Sequence, residues 1–89
     1  IQRSHAIANQ VYLLSCNRVG FEKPGIQFWG SSFIAGPQGE ILTQADSFSD
    51  CILYSEIDFS RIEKVRNIWP YFRDRRIDSY QDLTKLYLK

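Results

Sequence analysis

The sequence predicts an α/β (α+β) chain: a helix, four strands, a second helix and an extended tail. Three observations carry that expectation. Val11-Tyr12-Leu13-Leu14-Ser15-Cys16 is a continuous apolar run of strand length. The stretch from Phe28 to Leu42 reads as a strand, a Pro-Gly turn and a returning strand, with small residues set among large ones. From Ser60 onward, apolar residues recur at helical spacing and stop just before Pro70.

In chain order, residues 1–10 read as a helical end. Ile1, His5 and Ala8 share a face, and Ala6 and Ala8 permit close packing. The run 11–16 suits a strand covered on both faces. Residues 17–26 hold Gly20, Pro24 and Gly25 among charges and read as a loop. Residues 27–36 form the second strand. Gly36-Pro37-Gln38-Gly39 places Pro second and Gly fourth, as a type I turn prefers. Residues 40–45 return as the third strand, 46–50 are a polar loop, and Cys51-Ile52-Leu53-Tyr54-Ser55-Glu56-Ile57 is the fourth strand. Ser60 and Glu63 fit a capping box. The helix they open lines up Ile62, Val65 and Ile68/Trp69. Residues 79–89 put Tyr80, Leu83, Leu86 and Tyr87 on one stripe, a short amphipathic helix within the tail.

The 89 residues allow one domain at most. Two-sided burial of the first strand needs layers that this length cannot supply. The first residues carry no helix start signal, and Met is absent from the chain. The expectation is therefore a single partial domain over 1–89, with 70–89 as tail, belonging to a longer parent.

Composition narrows the function classes. Lys+Arg 11 against Asp+Glu 10 leaves a net charge of +1, so no general pull draws the chain to nucleic acid or acidic membranes. No apolar run in these 89 residues is long enough to span a bilayer, and no stretch with a basic start and a small-residue cleavage site reads as a signal peptide. Two cysteines are too few for a disulfide scaffold and have no His cluster for zinc. The expectation is a cytoplasmic protein without metal or cofactor.

The residues of reactive type each have a structural reading. Cys16 and Cys51 sit in apolar strand runs and are expected to be buried, inert thiols, because nothing near them in sequence lowers a thiol pKa. His5, the single histidine, has no nucleophile in its sequence context. Glu40 follows a turn and is expected to be solvated, Glu56 lies on a strand, and Asp58 precedes a helix whose dipole favours an acid. No catalytic residue is assigned. Arg73, Arg75 and Arg76, set between Trp69, Tyr71, Phe72 and Tyr80, mix cations with aromatics as single-strand nucleic-acid surfaces do. Asp74 and Asp78 offset them, which favours an ion-paired, docked tail.

Several of these segments resemble one family. His5-Ala6, Ala8-Asn9, Asn17-Arg18-Val19-Gly20, the block from Phe28 to Ile41 and Phe72-Arg73-Asp74-Arg75-Arg76 with Tyr80 are similar, in order and spacing, to the carboxyl-terminal part of the carbon–nitrogen hydrolase (nitrilase) superfamily. The Phe-Arg-Asp-Arg-Arg tail points to its N-carbamoylputrescine amidase branch. Trp29, where Tyr is frequent, and a shorter 21–27 loop depart from the pattern.

The resemblance implies an αββα sandwich carrying a Glu–Lys–Cys triad: Cys attacks the amide or carbamoyl carbon, Glu moves the proton and Lys stabilises the oxyanion. All three would precede Ile1. It also implies a linear carbamoyl or amide substrate and polyamine or nitrogen metabolism. The remainder of the parent enzyme would be a partner, in a homo-oligomer paired through the flanking helix and tail. In this chain it implies structural or interface roles for His5, Asn9, Asn17, Arg18, Trp29, Ser31, Ser32, Arg73, Arg75, Arg76 and Tyr80. The rival reading is a small β-rich partner- or nucleic-acid-binding module using the Arg/aromatic tail. Without the triad, the chain alone is expected to have no amidase activity.

Overall fold

A left-handed glutamine joins the first helix to the rest of the molecule. In the computed structural model, which describes residues 1–88, helix α1 (Gln2–Asn9) ends at Gln10, with φ 52° and ψ 52°. The Gln10 N–H returns to the Ile7 carbonyl at 3.2 Å and the Val11 N–H to the Ala6 carbonyl at 3.1 Å. That is the Schellman pattern, usually built with glycine. Glutamine brings what glycine lacks, an amide side chain. Gln10 is 1% exposed, and its Nε2 donates to the Trp69 carbonyl at 2.5 Å and the Val65 carbonyl at 3.4 Å. The end of α1 is thereby fastened to the end of the second helix, α2 (Phe59–Ile68).

Five strands lie between the helices: β1 (Leu13–Ser15), β2 (Val19–Glu22), β3 (Ile26–Trp29), β4 (Phe33–Ala35) and β5 (Ile41–Gln44). They form an antiparallel sheet in the order β1-β4-β5 and a separate β2-β3 hairpin. Leu13 faces Ala35, Ser15 faces Phe33, and the β4–β5 register slips by a bulge between Ile34 and Ala35. The expected turn is present, with the Gly39 N–H bonded to the Gly36 carbonyl at 2.9 Å. Gly39 adopts φ +77°, and a Cβ there would lie 2.6 Å from Ile7 Cδ1, so the turn lies directly against α1. Arg3 Nε donates to the Gly39 carbonyl at 2.7 Å from the same helix.

The α/β class stands, and the element count changes. The presumed loop 17–26 contains β2 and the start of β3, because Val19–Glu22 and Ile26–Trp29 find each other across the Pro24-Gly25 turn. The presumed strand 27–36 is two strands that belong to different sheets. Gly30 (φ +65°) and Ser31 (φ +56°) swing the chain from one to the other. Residues 51–57 form no strand, since no neighbour among the described residues offers them a ladder.

Helix α2 runs as expected and stops before Pro70, but its cap is Asp58. The Asp58 carboxylate accepts the Ser60 N–H at 2.9 Å, in place of a Ser60/Glu63 box. The helix expected over 79–89 is replaced by single 3₁₀ turns at Ile77–Ser79 and Gln81–Thr84, with Lys89 outside the described residues. Its stripe of Tyr80, Leu83, Leu86 and Tyr87 is exposed, and a short helix without a packing surface is not stable.

The apolar core is Ala6, Ile34, Ala35 and Val65, where α1 and α2 meet β4. It is small for the apolar content of the chain. The molecule is a slab of 50 × 40 × 13 Å with a radius of gyration of 18.0 Å, against about 12 Å for a compact chain of this length. Leu14 in the middle of β1 is 62% exposed, so the two-sided cover expected of that strand is not supplied by the described residues.

Candidate functional site

The break between β3 and β4 gathers more polar groups of the resemblance than any other place in the fold. Asn17 follows β1, and its Nδ2 donates to the Gly30 carbonyl at 2.9 Å. Its own N–H donates to Ser32 Oγ at 2.8 Å, and that hydroxyl donates to the Asn17 carbonyl at 3.2 Å. Asn17 Oδ1 accepts the Arg18 N–H at 2.9 Å. The Gly30 N–H goes to the Arg18 carbonyl and the Ser31 N–H to the Asp46 carbonyl, each at 3.0 Å.

The residue types at this junction follow from its geometry. Gly30 is buried, and a Cβ there would lie 2.6 Å from Val19 Cγ1 and 3.1 Å from the Asp46 carbonyl oxygen. Ser31 holds a left-handed backbone that L residues adopt at a cost of about 1 kcal/mol or more. Asp46 stiffens the loop that follows β5. Its carboxylate accepts the N–H groups of Phe48 at 2.9 Å and Ser49 at 2.6 Å, and these bonds hold it below the usual carboxylate range.

Two open clefts flank this knot, and Asn17 lines both. The first, about 450 Å³, is bounded by Ser15, Cys16, Trp29, Ser31 and Phe33, with Gln2 from the start of α1 and Gln44 from β5. No charged side chain lines it. Its hydroxyl and amide groups can donate to and accept from a neutral amide or carbamoyl group. Trp29, 75% exposed, is its aromatic wall. The second, about 440 Å³, lies on the other side, among Arg18, Ser32, Asp50, Cys51 and Leu53. Arg18 is fixed over the Phe28 ring at 4.3 Å and paired with Glu22 at 2.8 Å, which braces the β2-β3 hairpin.

The structure thus brings together Asn17, Arg18, Trp29, Ser31 and Ser32. His5 and Asn9 lie elsewhere, exposed on α1, where Asn9 Nδ2 donates to the His5 carbonyl at 3.0 Å. Arg73, Arg75, Arg76 and Tyr80 lie in the exposed tail. Arg73 pairs with Asp74 at 2.8 Å, Arg76 pairs with Asp78 at 2.5 Å, and Arg75 donates to the Phe72 carbonyl at 2.8 Å.

Both cysteines are exposed, contrary to the expectation of buried thiols. Cys16 falls one residue past the end of β1 and Cys51 opens the unpaired segment, so neither is enclosed by a sheet. Glu40 is not solvated as its turn position suggested. It is half-buried and ion-paired with Arg61 of α2, which also donates to Gln38 Oε1 at 3.1 Å. Burial pushes the Glu40 carboxyl up, but the Arg61 hydrogen bond and charge outweigh it and hold it below its ordinary value. Among the described residues, no cluster of His, Cys, Asp or Glu could hold a metal, and no helix is long and apolar enough to cross a membrane.

Three positioning residues carried no site assignment in the sequence. Asp46-Ser47-Phe48-Ser49 has the composition of an Asx turn and was readable as one. Gln10 and Arg61 act across 59 and 21 residues of separation, and no local pattern marks them.

The carbon–nitrogen hydrolase family model matches residues 1–67. The chain belongs to the carbon–nitrogen hydrolase family. The N-carbamoylputrescine amidase of Arabidopsis thaliana is 42% identical to it over 90 residues, covering 93% of this chain and 30% of that protein. The human omega-amidase is 36% identical over 80 residues, covering 90% of this chain and 29% of that protein. The crystal structure of a carbon–nitrogen hydrolase from Helicobacter pylori G27 superposes with a TM-score of 0.87 at 52% identity, covering 98% of this chain and 32% of that one. This hydrolase chain thus spans about 30% of the length of the relatives it matches. Its mixed helix and strand architecture is that of the corresponding part of the Helicobacter pylori fold.

Proposed function

We propose that this chain is the carboxyl-terminal segment of a cysteine-dependent amidohydrolase that cleaves a carbamoyl or amide C–N bond of a linear amine such as N-carbamoylputrescine, in cytoplasmic polyamine or nitrogen metabolism. The observation that carries the substrate class is the run of plant relatives named N-carbamoylputrescine amidase at 38–42% identity across nearly the whole chain. The uncharged first cleft agrees with a neutral carbamoyl or amide group as the element recognised.

The role read for the segment is structural. Nucleophile, base and oxyanion-stabilising cation would come from the rest of the enzyme. The Asn17–Ser32 knot holds one wall of the pocket rigid, which matters because a displacement of about 1 Å in substrate position costs roughly 100-fold in rate. Local pairing of Arg73 and Arg76 with Asp74 and Asp78 weakens the rival nucleic-acid reading and suits a tail that docks on protein. Aromatics and arginines are enriched where interfaces concentrate their energy, which supports pairing of subunits through α1 and the tail.

The test is a substrate comparison. The chain is co-expressed with the part of the Helicobacter pylori hydrolase that has no counterpart here, and ammonia release is followed with N-carbamoylputrescine, citrulline and a simple ω-amide. Preference for N-carbamoylputrescine supports the reading. Preference for either of the others moves the enzyme to another branch.

A further inference from the structure

We propose that Trp29 is a specificity-determining residue of the hydrolase, whose indole face receives the terminal ammonium group of a linear carbamoyl amine. The inference rests on the reading above and adds to it how the charged end of that substrate is told from a neutral one.

The backbone delivers the indole to the first cleft. Val19 pairs with Trp29 across the β2-β3 hairpin. The next residue is the buried, left-handed Gly30, whose N–H donates to the Arg18 carbonyl at 3.0 Å. Side chains alternate along a strand, so Phe28 and Trp29 take opposite faces. Phe28 is half-buried, with the Arg18 guanidinium 4.3 Å from its ring centre. Trp29 is left 75% exposed and walls the cleft together with Gln2, Ser15, Ser31 and Gln44. At about 450 Å³ the cleft lies within the usual range of small-molecule sites, about 300–1,000 Å³.

A carbamoyl amine such as N-carbamoylputrescine has two unlike ends. The urea end is neutral, and the hydroxyl and amide groups of Ser15, Ser31, Gln2 and Gln44 match it. The amine end is an ammonium at neutral pH, as a lysine is, and no carboxylate lines the cleft to receive it. The acids of neighbouring segments are engaged elsewhere: Asp46 holds the Phe48 and Ser49 N–H groups, and Glu40 is ion-paired with Arg61. What the cleft offers a cation is the negative face of an indole, the strongest aromatic face for this purpose. The arginine–aromatic contacts among the described residues use Phe28 and Phe72, so the Trp29 face is not taken by a cation of this chain. A carboxylate in the same place would be repelled by that face, which separates an amine from an acid of equal length.

The test compares two substrates in the complete hydrolase that contains this segment. N-carbamoylputrescine carries the ammonium, and N-pentylurea has a methyl group in its place at the same chain length. Trp29→Leu keeps an apolar side chain and removes the aromatic face. The expected result is a fall of about tenfold in kcat/KM for N-carbamoylputrescine, mostly as a rise in KM, with N-pentylurea changed by less than about twofold. If Trp29→Leu fails to fold, Trp29→Phe decides, with a loss of about threefold expected on the ammonium substrate alone. Equal losses on both substrates from a folded variant make Trp29 a packing residue and overturn the proposal, as does no loss on either. A parent enzyme that hydrolyses a simple ω-amide and neither carbamoyl compound removes the functional reading itself, and the proposal falls with it.

Discussion

Gln10, Gly30 and Ser31 each accept a left-handed backbone, and each does so for a different reason. At Gln10 the amide clamp on Trp69 and Val65 offsets the backbone cost. Gln10→Ala keeps the strain and removes the two amide bonds, although the Val65 and Trp69 carbonyls keep the Trp69 and Tyr71 N–H groups at 2.9 and 2.8 Å, so the loss is about 1 kcal/mol. Gln10→Gly relieves the strain and is expected to be milder by about 1 kcal/mol. Urea titration of the two variants in the co-expressed complex checks this order.

At the junction, Ser31→Gly should be within about 1 kcal/mol of the parent, because glycine adopts φ +56° freely. Gly30→Ala combines a positive φ with a Cβ 2.6 Å from Val19 and should lower stability by about 2 kcal/mol or more, read as a drop in Tm. The conformations of Gln10 and Ser31 were not visible in the residue types alone. Gln and Ser are not glycine, and their φ angles are set by long-range partners.

The helices and turns were readable wherever their cause is local. The Gly36–Gly39 turn, the stop at Pro70 and the run 11–16 depend on neighbours in sequence, and they hold in the structure with modest changes of boundary. The strands that were misread depend on pairing. A hairpin was hidden in 17–26, and a strand was assigned at 51–57 where no described residue supplies a ladder.

Two predictions belong to α2. Asp58→Ala removes its cap and should cost about 1 kcal/mol. Glu40→Gln removes its pairing with the β4–β5 turn, worth up to about 1 kcal/mol for a half-exposed pair. The Glu40 pKa is lowered from 4.5 in the folded chain. Its contribution is therefore present above the ordinary carboxylate pKa and is lost as pH falls through the depressed value. Thermal unfolding between pH 3 and pH 7 should show a smaller acid-side loss in Glu40→Gln than in the parent, and equal slopes would remove this role.

At the scale of the whole molecule, thickness is the governing fact. A slab of 13 Å with a core of four small or medium apolar residues leaves Leu14, Trp29, Ile52 and Tyr54 largely exposed. Burial at about 25 cal/mol per Å² is the main stabilising term that such a chain forgoes. The sequence expressed this as a conflict between a doubly apolar first strand and too few residues to cover it. The pocket knot was readable from the resemblance as Asn17 and Gly30-Ser31-Ser32, but its closing partner Asp46 was not, since it approaches from the loop after β5.

The structural role proposed for this segment requires the reacting groups to come from the rest of the enzyme. The most direct measurement is ammonia release from N-carbamoylputrescine by three preparations: the 89-residue chain alone, the non-matching part of the Helicobacter pylori hydrolase alone, and the two co-expressed. Release is expected from the co-expressed pair only. Release by the chain alone, above that of a heat-inactivated sample, would contradict it.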